Sequence, residues 1–182
     1  YIELIDYLET QEMDDPIVEN ALGNWIDIES YMSYQVFQIF VDNRDWPGNN
    51  IKFWRDHRVG GKWRWILYDT DFGFGIWDQY AYTFNTLSFA LDPNGPGWPN
   101  PPWSTFVFRK LMENENFQNT FINIYCDMLN TVLLPEFLTT RLDSISGNIE
   151  EMIPVHRARW LNDGEWPNST TNWENRLNQM EN

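Results

Sequence analysis

The sequence is short of several things, and each shortage removes a class of function. It has one cysteine, Cys126, so no intrachain disulfide can form. Cys126 lies in an apolar helical pattern without an activating base, and reads as a small buried hydrophobe rather than a nucleophile. No apolar run approaches the length of about eighteen residues that a membrane span needs. Basic residues are scarce: 12 Lys and Arg stand against 27 Asp and Glu, a formal net charge of −15. Nucleic acid would be repelled, and no basic stripe offsets the repulsion. Anionic membrane surfaces are disfavoured for the same reason. The two histidines offer little: His57 sits beside a turn, and His156, next to Arg157 and near Pro154, reads as a packing or capping residue. No internal repeat or low-complexity tract is present.

Aromatic rings are abundant. Eleven Trp, eight Tyr and twelve Phe accompany a hydrophobic content of 42% in 182 residues. That suffices for one sizeable core and excludes a disordered chain. Most of these rings are expected in the core, where they bury large areas. A stacking surface for sugars, bases or peptides is the minority reading. The chain opens on Tyr1 rather than Met, so a fragment or processed form is expected, and the lack of a leader segment is uninformative.

The patterning predicts a mainly helical α+β fold. Residues 1–22 read as one or two short helices, with Asp15 capping ahead of Pro16 and Gly23 breaking the pattern. Asp27 opens a stronger helix in which Ile28, Tyr31, Met32, Gln35, Val36, Ile39 and Phe40 follow helical spacing, ending near Val41 or Asp42. Residues 43–49 form a loop. Residues 51–56 and 62–68 read as two strands joined at Gly60 and Gly61, with Ile51, Phe53, Ile66 and Tyr68 on one buried face. Residues 69–103 look irregular, punctuated by Gly and Pro. The remainder is helical: Ser104 caps a helix through Met112, Asn114 or Asn116 caps another through Thr131, and Pro135 starts a long helix that Gly147 and Pro154 bend or divide. A polar linker at 168–171 precedes a last short helix.

Two segments concentrate polar residues beside regular structure: Asn43-Arg44-Asp45-Trp46-Pro47-Gly48-Asn49-Asn50 and Asp69-Thr70-Asp71-Phe72-Gly73. Phosphoryl transfer needs a carboxylate to orient or deprotonate a hydroxyl, and hard oxygens to hold a divalent cation against phosphates. The kinase catalytic loop, H-R-D-x-x-x-x-N, is followed beyond a hairpin by D-F-G. Asn43-Arg44-Asp45 and Asn50 reproduce that spacing with Asn for His, and Asp71-Phe72-Gly73 reproduces the second motif. A four-residue turn at Arg58–Gly61 sets His57 opposite Lys62 and, counting back, Asn50 opposite Asp69. Asp69 and Asp71 then share one side of the strand. The same register opposes Arg55 and Arg64, a clash that a slip of one residue would relieve. Each motif alone is an ordinary turn sequence; their order around a hairpin points to a metal–phosphate site.

The run from Asp27 to Gly75 resembles the spore coat protein H (CotH) kinase family: a helix, an N-x-D-W-x-x-x-N loop, a hairpin ending in Lys62-Trp63-Arg64-Trp65-Ile66, then D-x-D-F-G-F-G. Phe108-Arg109-Lys110-Leu111 to Phe117, Leu129, Leu133-Leu134-Pro135 and Arg157 to Trp160 resemble its helical tail. The resemblance spans residues 25–162, between a helical lead-in at 1–24 and a linker with a C-terminal helix at 163–182. It implies an atypical kinase C-lobe, transfer of the ATP γ-phosphoryl group to a protein acceptor with Mg²⁺ or Mn²⁺, and a bacterial cell-surface or secreted location. It further implies that Asp45 is the catalytic aspartate and that Asn50 with Asp69 or Asp71 holds metal. Lys52 and Gly73 are candidates to contact the nucleotide. Pro47 replaces the kinase lysine two residues after the catalytic Asp. No ATP-cradling loop precedes residue 25, so this chain alone is expected to turn over little ATP. The rivals are a non-catalytic pseudokinase or surface interaction module, and a carbohydrate-binding domain using Trp77, Trp98 and Trp103.

Overall fold

The computed structural model describes residues 1–76, 78, 80–94, 101–160 and 170–181. Trp77, Trp98 and the segment 168–169 expected in a linker lie outside these residues. The fold is α+β and mainly helical, with one two-stranded antiparallel sheet among the described residues. The chain divides into two compact units, residues 1–126 and 127–182.

In the first unit, α1 (Ile2–Thr10) buries Leu4 and Leu8. Asp15 caps α2 (Pro16–Trp25) by accepting from the Ile17 N–H at 2.8 Å, with Pro16 at the first helical turn. Gly23 does not break this helix, which continues to Trp25. A single Gly costs a helix only about 1 kcal/mol, and burial of Val18 and Leu22 outweighs it. Asp27 caps α3 (Ile28–Phe40) at the Ser30 N–H, 3.2 Å. Seven residues of α3 are buried, on nearly every side, so it is the central helix of the unit.

The hairpin pairs β1 (Lys52–Arg55) with β2 (Trp63–Ile66). Its register sets Lys52 opposite Ile66 and Arg55 opposite Trp63. This is one residue away from the alignment that opposes Arg55 to Arg64 and Asn50 to Asp69. Interactions outside the hairpin fix the choice. Ile26 bridges to Trp63, the Asp27 N–H donates to the Trp63 carbonyl at 3.0 Å, and the Asp27 carboxylate pairs with Arg64 at 2.7 Å. Because strand faces alternate, the slip also changes partners. Phe53 meets Trp63 and Trp65, and Trp65 packs edge-on against Tyr31 at 4.4 Å. Ile66, expected on a buried face, is exposed, as is Trp54.

The stretch expected to be irregular contains α4 (Thr86–Leu91), capped by Asn85 at the Ser88 N–H, and short 3₁₀ turns at Ala81–Thr83 and Pro102–Thr105. The second 3₁₀ turn leads into α5 (Phe106–Leu111), so Ser104 precedes the helix rather than capping it. Asn114 caps α6 (Glu115–Leu129) through the N–H groups of Asn116 and Phe117, and its own amide donates to the Met13 carbonyl at 2.7 Å. Cys126, expected to be buried, is exposed.

In the second unit, α7 (Pro135–Ile149) begins at Pro135. A 3₁₀ turn at Glu150–Met152 divides it from α8 (Ile153–Trp160). The last helix, α9 (Thr170–Glu181), packs against α7.

Candidate active site

The site is built where α3 ends and where β2 runs out. Among the described residues, four non-glycine residues adopt left-handed backbone: Asp42 (φ 48°), Asn50 (φ 52°), Asp69 (φ 51°) and Phe74 (φ 52°). They bracket the two polar segments, Asp42 and Asn50 the first, Asp69 and Phe74 the second. Short Asp and Asn side chains tolerate this conformation; Phe does not. Phe74 is held there by its N–H, which donates to the Val41 carbonyl at 2.7 Å.

The first segment is locked from beneath by α3. The Asn43 side chain is 1% exposed, and its amide donates to Gln38 Oε1 at 2.8 Å. Its carbonyl oxygen accepts the Asp45 N–H at 3.1 Å, an Asx turn that aims the following residue. Trp46, 1% exposed, anchors the loop in the core. Asp45 is thus fixed on both sides. Its Oδ1 accepts from the Asn49 amide at 3.0 Å and its Oδ2 from the Asn50 amide at 2.6 Å. Each carboxylate oxygen keeps lone-pair capacity for a further donor.

Asn50 also joins the two segments. Its Nδ2 reaches the Asp69 carbonyl at 3.4 Å, so the expected proximity of Asn50 and Asp69 survives the register slip by a side-chain bond. Two further bonds tie the segments: Arg44 N–H to the Phe72 carbonyl, and Phe74 N–H to Val41. Gly73 is buried between them. A Cβ there would stand 2.9 Å from Val41 Cγ2 and 3.1 Å from its carbonyl oxygen. Close approach of the two segments therefore requires glycine at this position.

Behind the loop, Asp42 is 6% exposed and accepts from Arg44 Nε and the Thr86 hydroxyl, each at 2.7 Å. The Arg44 guanidinium lies over the Phe84 ring at 3.8 Å. Asp42, Thr86 and Asn49 were not singled out from the sequence. The double Asn at 49–50 was a usable signal for one of them. A contact 44 residues apart, such as Thr86 to Asp42, has no local signature.

Asp69 and Asp71 are exposed, and among the described residues neither carboxylate accepts a hydrogen bond. Lys52 turns its ammonium onto the Tyr68 ring at 4.3 Å. Under the loop, burial pushes the Tyr34 phenol up to about 12, an effect the nearby Gln38 opposes and Tyr68 reinforces. The Tyr34 hydroxyl and Gln38 Nε2 are both buried without a hydrogen-bond partner.

No curated protein and no solved structure matches this chain. A family model described as CotH kinase protein matches residues 1–182, over the whole length. With the N-x-D-W-x-x-x-N loop and the D-x-D-F-G turn hydrogen-bonded together, the chain belongs to the CotH kinase family.

Proposed function

We propose that this chain is the C-lobe part of a phosphotransferase that moves the γ-phosphoryl group of ATP to a protein hydroxyl. The observation that carries the reading is the Asp45 carboxylate, held by one amide on each oxygen, with one of those amides, Asn50, reaching across to Asp69.

A divalent cation fits this corner chemically. Asn50 spends its amide nitrogen on the Asp45 carboxylate and the Asp69 backbone carbonyl, which leaves its oxygen as a hard donor, and the adjoining segment carries the exposed carboxylates of Asp69 and Asp71. Among the described residues no three His, Cys, Asp or Glu side chains gather at one point. Such a sparse oxygen set suits Mg²⁺ or Mn²⁺, which commonly complete their shells with water and phosphate oxygens. When bound, the cation would neutralise phosphate charge.

Asp45 orients the acceptor hydroxyl and takes its proton. The hydroxyl oxygen forms a bond to the γ-phosphorus while the bond to the β,γ-bridging oxygen breaks, releasing ADP. The amides of Asn49 and Asn50 keep the carboxylate from swinging away, so little reorganisation is needed as the proton moves. An acceptor at or outside a bacterial cell surface belongs to the same reading.

The test is incorporation of labelled phosphate from ATP by the longest natural form of the protein, with Mg²⁺ and with Mn²⁺. Asp45→Ala should lower it by roughly 10²–10⁴, and Asp71→Ala should lower both incorporation and cation affinity. A folded protein that incorporates nothing, and binds the cation no better than its Asp71→Ala variant, would make this a non-catalytic interaction module.

A further inference from the structure

A separate cavity of about 420 Å³ lies in the first unit, between α1, α3, the hairpin and α5. Its volume is in the range of small-molecule sites. None of Asp45, Asn50, Asp69 or Asp71 lines it. We propose that this cavity binds a neutral, planar aromatic molecule that carries an N–H donor.

Three observations lead there. The walls are rings: Tyr1, Tyr31, Trp46, Phe53, Trp65 and, at an exposed edge, Trp103. Tyr1 stacks on Phe53 at 4.2 Å and Tyr31 stands edge-on to Trp65 at 4.4 Å, so these walls offer ring faces and edges to a flat guest. Two wall residues, Tyr34 and Gln35, have an unmet polar requirement, and the Gln35 oxygen is the one that can only accept. Gln35 is 4% exposed, and its Oε1 is buried with no hydrogen-bond partner. Buried acceptors are rarely left unpaired, and an N–H on the guest would satisfy this one.

Charge selects a neutral guest. The lining holds one acid, Glu9, and one base, Arg109. Glu9 is exposed, and the Arg109 guanidinium is engaged with the Thr105 hydroxyl and the Pro102 carbonyl. Burial pushes the phenols of Tyr1 and Tyr31 up, Tyr31 the further, which keeps both uncharged at neutral pH. The two side-chain charges of the lining are of opposite sign, so the site carries no net side-chain charge to select a charged ligand.

The inference stands apart from phosphoryl transfer, because its test reads binding and not turnover. The probe is 5-fluoroindole, titrated and observed by fluorine NMR, with indole and benzofuran as competitors. Indole should displace it, and benzofuran, which has the same outline but an acceptor in place of N–H, should compete about three- to tenfold less well. Ile5→Trp, which fills the cavity from α1, should abolish binding while leaving thermal unfolding cooperative. Gln35→Met should erase the preference for indole over benzofuran. Absence of saturable binding to the unmodified protein would overturn the proposal. So would equal competition by the two bicycles, or undiminished binding by the folded Ile5→Trp protein.

Discussion

The two polar segments of the candidate site are similar in composition and opposite in physical state. Residues 42–50 are locked. Asp42, Asn43 and Trp46 are buried, and the side chains of Asp42, Asn43, Arg44, Asp45, Asn49 and Asn50 all make polar bonds. In residues 69–73 the two carboxylates are exposed and, among the described residues, make no hydrogen bond or ion pair, while the backbone is pinned through Phe72, Gly73 and Phe74. A group that must meet a proton in a fixed direction gains from preorganisation. Groups that must accept a cation and phosphate oxygens gain from being left unsatisfied by the protein. The contrast teaches that one turn-like sequence can be a scaffold and the other a set of open ligands, and that the neighbours decide which.

The comparison breaks most sharply at Asn43. Asn43→Ala strands Gln38 Oε1 and the Asp45 N–H, and should destabilise the first unit by about 2–4 kcal/mol, read from denaturant midpoints at unchanged slope. Equal stability of this variant and the unmodified protein would show that the loop is not locked by its floor.

The floor should also titrate. The Tyr34 phenol is pushed up to about 12, above its ordinary value near 10. Between those values the unfolded chain releases the proton and the folded one retains it, so stability is full below about pH 10 and falls as pH rises towards 12. The loss should reach about 2–3 kcal/mol, and Tyr34→Phe should remove that part of the slope. An identical pH dependence in Tyr34→Phe would place the effect elsewhere.

A smaller effect is expected where the segments touch. Gly73→Ala drives a methyl group into Val41 and should cost about 1–3 kcal/mol; Val41→Ala in the same chain should recover part of it, a coupling that a double-mutant cycle measures. The smallest effect sharpens the contrast. Asp71→Ala should change stability by no more than about 0.5 kcal/mol, since its carboxylate makes no described bond, while lowering affinity for Mg²⁺ or Mn²⁺ in calorimetric titration. A large loss of stability would mean that the second segment is structural like the first.

Much of the local structure was readable. Asp15, Asp27 and Asn114 are capping residues whose function depends on a few neighbouring N–H groups, and all three cap as their positions suggest. Pro135 opens a helix because its missing N–H has no partner to lose there. The spacing from Asp45 to Asn50 placed both in one short loop, and they meet. Readings failed where distant groups intervened. Gly23 was outvoted by the burial of α2, and Ile66 faces solvent because the hairpin slipped.

The sequence by itself determined the caps at Asp15, Asp27 and Asn114 and the grouping of Asp45 and Asn50, because each depends on residues within a turn or two of one another. The register of the hairpin was decided only by tertiary structure. Alternating strands admit two alignments one residue apart, and the choice fell to Ile26 and Asp27 against Trp63 and Arg64, and to Tyr31 against Trp65. The close packing at Gly73 and the anchoring of Asp42 by Thr86 were decided the same way. These contacts join residues far apart in the chain, and no local pattern encodes them.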